Sequence, residues 1–257
     1  MFFMKLNIPV PAEQMSATEF VESIKGLNNR DREVFAFKTL LEGHVPSYMR
    51  TCVPVTTTFR STDGKGHILI MYVLPNYLFV GTDVDRMNMP LWPITAQKVC
   101  DAWDCSLPTT RIVDLLFFAA SRLTPSPWGP PYDETMQSTS RFVAHNKRVE
   151  DLIAGMSGFD RSCLVTGHKK DVVLTNRLES QPNQVAIYGW HQLNGRPIQP
   201  LYLGHENTYS DYSHGIRLVS NTCELDGYPT PISTILTDVD LCGALSNEGP
   251  MRVLRQP

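Results

Sequence analysis

The chain has 257 residues, of which 42% are apolar and 19% are charged, as is ordinary for a folded protein. With 23 basic and 26 acidic side chains, its formal net charge is −3, which excludes a broad attraction to nucleic acid or anionic lipid. The longest apolar run, Leu115–Ala120, is far shorter than the ~20 residues of a membrane-spanning helix. The N-terminus lacks the basic and apolar regions of a signal peptide. We therefore expect no membrane or nucleic-acid partner, and either a cytoplasmic protein or a processed secreted one.

The first half of the chain predicts helices, then strands, then helices. A capping box at Ser16–Glu19 begins a short helix, and a second helix is predicted over Asp31–Glu42. A period of two then predicts a three-stranded antiparallel meander, formed by Val53–Arg60, His67–Val73 and Tyr77–Gly81. Two further helices are predicted after Pro93, namely Ile94–Trp103 and a nearly all-apolar helix that Ser106 would cap and that runs to about Leu123.

The second half begins with the proline-rich loop Thr124–Pro131, followed by an amphipathic helix over Thr139–Ala154. Four strands are then predicted, at His168–Thr175, Gln184–His191, Pro197–Leu203 and Gly215–Ser220, before a short helix in Pro231–Leu245. Asn194-Gly195 indicates a hairpin turn. These elements predict an α+β fold in which an antiparallel sheet packs against helices. We expect one domain over residues 1–257, in which residues 1 to about 90 elaborate a catalytic part over about 91–257.

Several common catalytic signatures are absent from the sequence. It contains no G-x-S-x-G, H-E-x-x-H, G-x-x-x-x-G-K-[ST] or G-x-G-x-x-G motif, which argues against common serine esterases, zincins, P-loop enzymes and Rossmann dehydrogenases. The six cysteines are dispersed, without a C-x-x-C pair, and we expect buried free thiols. A disulfide between Cys100 and Cys105 is the alternative for that pair.

Cys105 is the candidate nucleophile, because it lies just before the predicted apolar helix. The positive end of a helix dipole lowers the pKa of a thiol, and the thiolate is the nucleophilic form. Such a cysteine needs a histidine base and a third group to orient that base. If Thr175 pairs with Gln184, then His168 lies opposite His191 at the open end of a hairpin, on one buried face. The neighbouring Lys169, Lys170 and Asp171 are interpreted as a solvated strand edge.

This order of residues resembles the NlpC/P60 branch of the papain-like superfamily, whose members are mostly cell-wall peptidases and amidases. The shared features are Asp104-Cys105-Ser106 before a helix, His168 opening a strand and His191 ending the next strand. The resemblance covers about residues 101–203, although Leu107 stands where the family usually has glycine. It implies a papain-like architecture with Cys105 as nucleophile, His168 as base, His191 as orienting residue and no cofactor. The implied substrate is a peptide or amide of the kind found in cell walls.

Three alternatives remain open at this point. His214 is a rival base, because it also begins a predicted strand and has Asp211 nearby to orient it. A metal-dependent hydrolase is a second possibility, with ligands drawn from His191, His205, Glu206, Asp211 and His214. A non-catalytic binding or structural domain is the third. The leading prediction is a cysteine-dependent hydrolase of amide or peptide bonds, and the sequence leaves the oligomeric state open.

Overall fold

In the computed structural model, which describes residues 4–257, helices pack against mainly antiparallel sheets in an α+β fold. This confirms the predicted fold class. The helices of this part of the chain are α1 (Ala17–Ser23), α2 (Asn29–Leu41), α3 (Pro93–Ala102), α4 (Thr110–Ala119), α5 (Thr139–Ala154) and α6 (Ile232–Thr237). Short 3₁₀ helices cover Ser47–Arg50, Glu134–Gln137, Asn176–Glu179 and Cys242–Ala244. Within residues 4–257, no helix combines the length and the apolarity needed to cross a membrane.

Local sequence signals set several of the helix ends. The capping box before α1 is present, since Glu19 N donates to Ser16 Oγ and Ser16 N donates to Glu19 Oε2. Pro93 occupies the first turn of α3, and α5 has the predicted bounds. The helix predicted after Ser106 begins later than expected, at Thr110, where Thr109 Oγ1 accepts a hydrogen bond from Ile112 N.

Most of the strands are short, and most lie in two sheets. In chain order they are β1 (Met4–Lys5), β2 (Thr51–Arg60), β3 (Gly66–Val73), β4 (Phe79–Gly81), β5 (Arg86–Asn88), β6 (Cys105–Ser106), β7 (Ser121–Arg122), β8 (Val165–Thr166), β9 (Lys170–Val172), β10 (Gln184–His191), β11 (Pro197–Glu206), β12 (His214–Gly215), β13 (Val219–Ser220), β14 (Thr222–Leu225) and β15 (Tyr228–Pro231). The large sheet has the order β1-β2-β3-β13-β6, with β14 pairing both β3 and β15. The four-stranded sheet has the order β11-β10-β9-β12, and β4–β5 and β7–β8 form separate pairs.

The predicted meander is confirmed only in its first hairpin. β2 and β3 pair from Val53 opposite Val73 to Arg60 opposite Gly66, as the turn between them requires. The third predicted strand does not join them, because β13 and β14 already pair with the other edge of β3. β4 instead pairs with β5. The large sheet thus combines strands from the beginning and the end of the chain.

The four-stranded sheet holds the histidine-rich part of the sequence. β9 and β10 pair with Val172 opposite Ile187 and Lys170 opposite Gly189, which is the register that a Thr175–Gln184 pairing requires. The hairpin between β10 and β11 turns at the predicted Asn194-Gly195, where Gly195 N donates to Gln192 O over 2.8 Å. β12 adds to the other side of β9 in parallel, with His214 opposite Lys170.

Arg217 joins the two sheets. Its side chain is fully buried, and its guanidinium donates from Nη1 to Leu74 O (2.9 Å) and from Nη2 to Val165 O (2.7 Å). The same guanidinium lies 4.2 Å from the ring centroid of Tyr77, which in turn donates from its hydroxyl to Asp171 Oδ2 over 2.8 Å. One buried cation therefore connects the end of β3, strand β8 and strand β9.

We predict that Arg217→Met lowers the free energy of unfolding by about 2–4 kcal/mol, because two buried carbonyls lose their charged donor. Urea unfolding of the purified variant measures this loss. The matched control is Arg177→Met, at an exposed arginine, which we expect to change the free energy of unfolding by less than about 0.5 kcal/mol. Equal effects of the two substitutions would contradict the assigned role of Arg217.

Candidate functional site

Cys105 does not lie at the start of a helix, which corrects the prediction. It lies in β6, opposite Ser220 of β13, and α4 begins five residues later at Thr110. Ser106, the predicted helix cap, instead donates from its hydroxyl to Asn221 Oδ1 over 2.6 Å. The backbone of Cys105 and Ser106 pairs with β13, so it cannot form the N-terminal turn of α4. The thiol therefore receives no help from a helix dipole.

The surroundings of Cys105 do not favour a thiolate. The residue is 3% exposed, and its thiol donates to Trp103 O. Burial raises the pKa of the thiol well above its ordinary value, and the nearby Cys52 and Cys100 add to this effect. A cavity of about 270 Å³ lies beside Cys105, but none of its lining residues is a histidine. All six cysteines are free, so the alternative disulfide with Cys100 is not formed.

His168 and His191 are not brought together, although the strand register that would pair them is correct. Gly189 and Trp190 have φ values of 103° and 54°, and this left-handed backbone turns the end of β10. His191 Nε2 lies 3.0 Å from Asp114 Oδ1 on α4, and its ring stacks on Phe117. His168 packs edge-on against Tyr77, with ring centroids 4.9 Å apart. His191 is therefore not positioned to orient His168.

His214 and Asp211, the rival pair, do lie together. His214 N donates to Asp211 O over 3.0 Å in the turn that leads into β12. The carboxylate of Asp211 is held in place by three donors. Its Oδ1 accepts from Ser213 N (2.7 Å) and Ser213 Oγ (2.5 Å), and its Oδ2 accepts from the Tyr209 hydroxyl (3.2 Å). The structure thus places a fixed carboxylate close to a histidine, without a hydrogen bond to its ring, and Lys170 lies opposite that histidine on β9.

The charges of these groups follow from their burial. His214 is 1% exposed, and burial lowers its pKa to about 4, although Asp211 acts in the opposite direction. Burial alone would raise the pKa of Asp211, but His214, Lys170 and the Ser213 hydrogen bonds outweigh it and bring that pKa below its ordinary value. Burial also lowers the pKa of Lys170. At neutral pH the site therefore contains a neutral imidazole beside a carboxylate.

Both ring nitrogens of His214 are buried without a hydrogen-bond partner among residues 4–257. Buried polar atoms are nearly always paired, so an unpaired imidazole in the core needs an explanation. The indole nitrogen of Trp190 and the hydroxyl of Ser210 are likewise unpaired within the described chain. His214 and Ser210 are close to Asp211 in the sequence, so a ligand that reached this carboxylate would also meet unpaired polar atoms.

Aromatic rings border this site. Lys170 Nζ lies 5.3 Å from the ring centroid of Trp190, and Tyr209 packs edge-on against His214. His205 stacks on Tyr209 with centroids 4.1 Å apart. Because Lys170, His205 and Tyr209 are only half-buried, the site lies between core and surface. We call Lys170, Trp190, Tyr209, Asp211, Ser213 and His214 the His214 cluster.

A second polar layer, around Lys169 and Asp171, lies next to the His214 cluster. The sequence predicts a solvated edge at these two residues and Lys170, but this is wrong for Lys169 and Asp171, which are at most 2% exposed. Lys169 Nζ lies 3.2 Å from His145 Nδ1 and donates to Tyr212 O. Burial lowers the pKa of Lys169 to about 7 and raises that of Asp171 to about 6. Pairing on both sides of β9 buries them, which strand periodicity alone did not indicate.

The metal alternative gains no support from this geometry. His191 is bonded to Asp114 rather than to the other histidines. Within the part of the chain that the structure describes, no group of three or more His, Cys, Asp and Glu side chains is arranged to hold a metal ion.

Comparison of the chain with protein-family models, curated proteins and solved structures found no match.

We predict that limiting iodoacetamide at pH 7 labels Cys163 and leaves Cys105 unlabelled. Cys163 is exposed, whereas Cys105 is buried with a raised thiol pKa, and only a reachable thiolate reacts quickly. Peptide mapping by mass spectrometry measures the label at each cysteine, with labelling in urea as the control for a modifiable thiol. Fast labelling of Cys105 in the native protein would restore it as the candidate nucleophile.

A second prediction concerns the pH dependence that His214 adds to stability. Its folded pKa of about 4 lies below its ordinary 6.5, so between these values the unfolded chain binds more protons than the folded chain. Folding stability is therefore lost as pH falls from about 6.5 to 4, by up to about 3 kcal/mol. Urea unfolding of wild type and His214→Gln across this range should show the wild type losing more stability. A difference between the two proteins that does not change with pH would contradict a buried, neutral His214.

Proposed function

We propose that the chain is a hydrolase of amide or peptide bonds in which the His214 cluster activates a water molecule. The observation that carries the proposal is the buried imidazole of His214, whose two ring nitrogens have no partner within residues 4–257 and whose charged form is favoured by the nearby carboxylate of Asp211. A neutral imidazole accepts a proton from water, and a neighbouring carboxylate stabilises the imidazolium that results. The substrate class is the one expected from the sequence, an amide or peptide, but water replaces Cys105 as the nucleophile.

The steps follow from the charges of the cluster. A ring nitrogen of His214 takes a proton from water as the water oxygen attacks the carbonyl carbon of the substrate. The Lys170 ammonium stabilises the negative charge that develops on the carbonyl oxygen. The imidazolium then gives its proton to the leaving amine as the carbon–nitrogen bond breaks. Asp211 can stabilise the imidazolium without moving, because its carboxylate oxygens accept hydrogen bonds from Ser213 and Tyr209.

The substrate is expected to carry an apolar group next to its amide. Trp190 lies against Lys170 and Tyr209 against His214, and rings of this kind pack against apolar side chains while leaving polar groups in reach. Trp190 also has a φ of 54°, which is unfavourable for a bulky residue. Strained backbone persists where surrounding structure holds it, and such strain concentrates at functional sites.

The experiment compares variants in an assay for free amine released from a panel of dipeptides and N-acyl amino acids. We expect His214→Gln to lower kcat by about 10²–10⁴-fold, because the proton acceptor is lost. Asp211→Asn should lower kcat as well. Cys105→Ala, a substitution at a buried thiol outside the cluster, is the control and should keep kcat near that of the wild type.

The outcomes separate the candidate functions. Loss of activity in Cys105→Ala with retention in His214→Gln would favour the cysteine-dependent mechanism instead. A fully folded wild type that hydrolyses no member of the panel, and that no member stabilises in thermal unfolding, would favour a non-catalytic domain.

A further inference from the structure

A second constellation of side chains lies at the hairpin ends of the large sheet. Ser61 follows β2, His67 is the second residue of β3, and Asp226 lies in the turn between β14 and β15. Ser61 Oγ is 3.2 Å from His67 Nε2, and His67 Nδ1 is 2.8 Å from Asp226 Oδ2. We propose that these three residues form a serine nucleophile, base and orienting carboxylate that hydrolyse small esters. This site is independent of the His214 cluster and does not rest on the proposed function.

The backbone holds the carboxylate against the histidine. Asp226 has a φ of 53° and Gly227 a φ of 85°, as in the two-residue turns that close tight hairpins. Asp226 N donates to Ile68 O, and Asp226 Oδ1 accepts from Ile68 N, both over 2.9 Å. The turn is therefore fixed to β3 by two hydrogen bonds next to His67. Asp226 Oδ2 is left to face the imidazole.

The histidine is oriented as a base. The hydrogen bond from Ile68 N and that from His67 both lower the pKa of Asp226, so its carboxylate is ionised at neutral pH. An ionised carboxylate beside Nδ1 favours the tautomer that carries its proton there, which leaves the lone pair of Nε2 directed at Ser61. The ring also stacks on Phe59, with centroids 5.2 Å apart, and its movement is restricted.

Ser61 has two competing acceptors. Its hydroxyl lies 2.5 Å from Asp63 Oδ1 and 3.1 Å from Lys65 O, within the turn between β2 and β3. A hydroxyl donates one hydrogen bond at a time, so its proton must rotate from Asp63 to His67 Nε2 before Ser61 can attack. The rotation involves one exposed turn carboxylate and leaves the strands in place. It makes Ser61 a slower nucleophile than one bonded to histidine alone.

A cavity of about 520 Å³ lies beside the base. His67 and Asp226 are among its lining residues, whereas Ser61 is 7% exposed and lies behind His67, outside the lining. Phe59 and Ile68 supply apolar surface there, and Ile68 is 53% exposed. Arg60 adds a positive charge at the same cavity. An ester with a short apolar acyl chain matches these surroundings, because its chain would pack on Phe59 and Ile68. Its carbonyl would have to pass beside His67 to reach Ser61 Oγ.

The reaction has two balanced steps. Ser61 Oγ attacks the ester carbonyl carbon and gives its proton to His67 Nε2. That proton then passes to the leaving alcohol as its carbon–oxygen bond breaks. Water next attacks the acylated serine and gives a proton to His67 Nε2. The carboxylic acid leaves, and the proton returns to Ser61 Oγ.

The experiment uses a fluorophosphonate probe, in which Ser61 Oγ would form a bond to phosphorus as fluoride leaves. We expect the wild type to be labelled at Ser61, as located by peptide mass spectrometry, and Ser61→Ala to remain unlabelled. His67→Gln and Asp226→Asn should slow labelling by at least about 10²-fold. Asp226→Asn keeps the turn, because asparagine followed by glycine suits the same positive φ values. Ser23→Ala, at an exposed serine on α1, is the matched control.

Each result bears directly on the triad. Labelling that is confined to Ser61 and depends on His67 and Asp226 supports it, as does matching hydrolysis of p-nitrophenyl acetate. An unlabelled wild type, a label on another serine, or a label rate unchanged in folded His67→Gln and Asp226→Asn would overturn it. Circular dichroism establishes that each variant is folded. His214→Gln should label like the wild type, so failure of this proposal is distinct from failure at the His214 cluster.

Discussion

The two buried hydrogen bonds of Arg217 are the constraint on which the rest of the structure depends. A guanidinium in the core is costly unless its charge is compensated, and here the carbonyls of Leu74 and Val165 and the ring of Tyr77 provide that compensation. The neighbouring backbone is paired as well, since Leu78 N donates to Ile216 O and Leu74 N donates to Leu218 O. The chain from residue 216 to 218 is thus fixed on both sides of Arg217.

This constraint also positions the His214 cluster. His214 lies three residues before Arg217, and Gly215 between them packs so closely on Tyr77 that an added Cβ would lie 2.5 Å from that ring. The segment therefore cannot shift without disturbing Tyr77, Asp171 and the guanidinium together. The presence of Arg217 opposes the rise that burial causes in the pKa of Asp171. Fold stability and the electrostatics of the polar layer next to the site accordingly depend on the same few groups.

Neutral buried histidines carry a stability cost that packing does not recover. His168 and His214 each bury two ring nitrogens that have no partner within residues 4–257, and an unsatisfied buried polar group costs about 1–3 kcal/mol. A leucine or phenylalanine would fill either position without that cost. Proteins retain such residues where function needs them, at the expense of stability. Of the two, only His214 also lies near a carboxylate held in place by three donors, which is why we propose the catalytic role for it.

Much of the fold could be predicted from the sequence, and the failures have identifiable causes. Alternating residues and the Asn194-Gly195 turn predicted β10 and its neighbours, and even the β9–β10 register was correct. A prediction from periodicity, however, assumes that the backbone stays extended to the last residue of the strand. The positive φ values of Gly189 and Trp190 break that assumption and separate His191 from His168. Likewise, Lys169 and Asp171 are polar residues in a strand, and only tertiary pairing on both sides reveals that they are buried.

The Asp104-Cys105-Ser106 motif, on which the resemblance to cysteine hydrolases depended, has a structural explanation of its own. Asn221 binds both polar members, since its Nδ2 donates to Asp104 Oδ1 over 2.9 Å and its Oδ1 accepts from the Ser106 hydroxyl over 2.6 Å. Its backbone N also donates to Asp104 O. Asp104 has a φ of 53°, which aspartate tolerates better than most residues. These contacts join β6 to the chain that follows β13, while the thiol of Cys105 donates to Trp103 O. The same three residues that in a cysteine hydrolase would present a nucleophile here fasten the edge of a sheet.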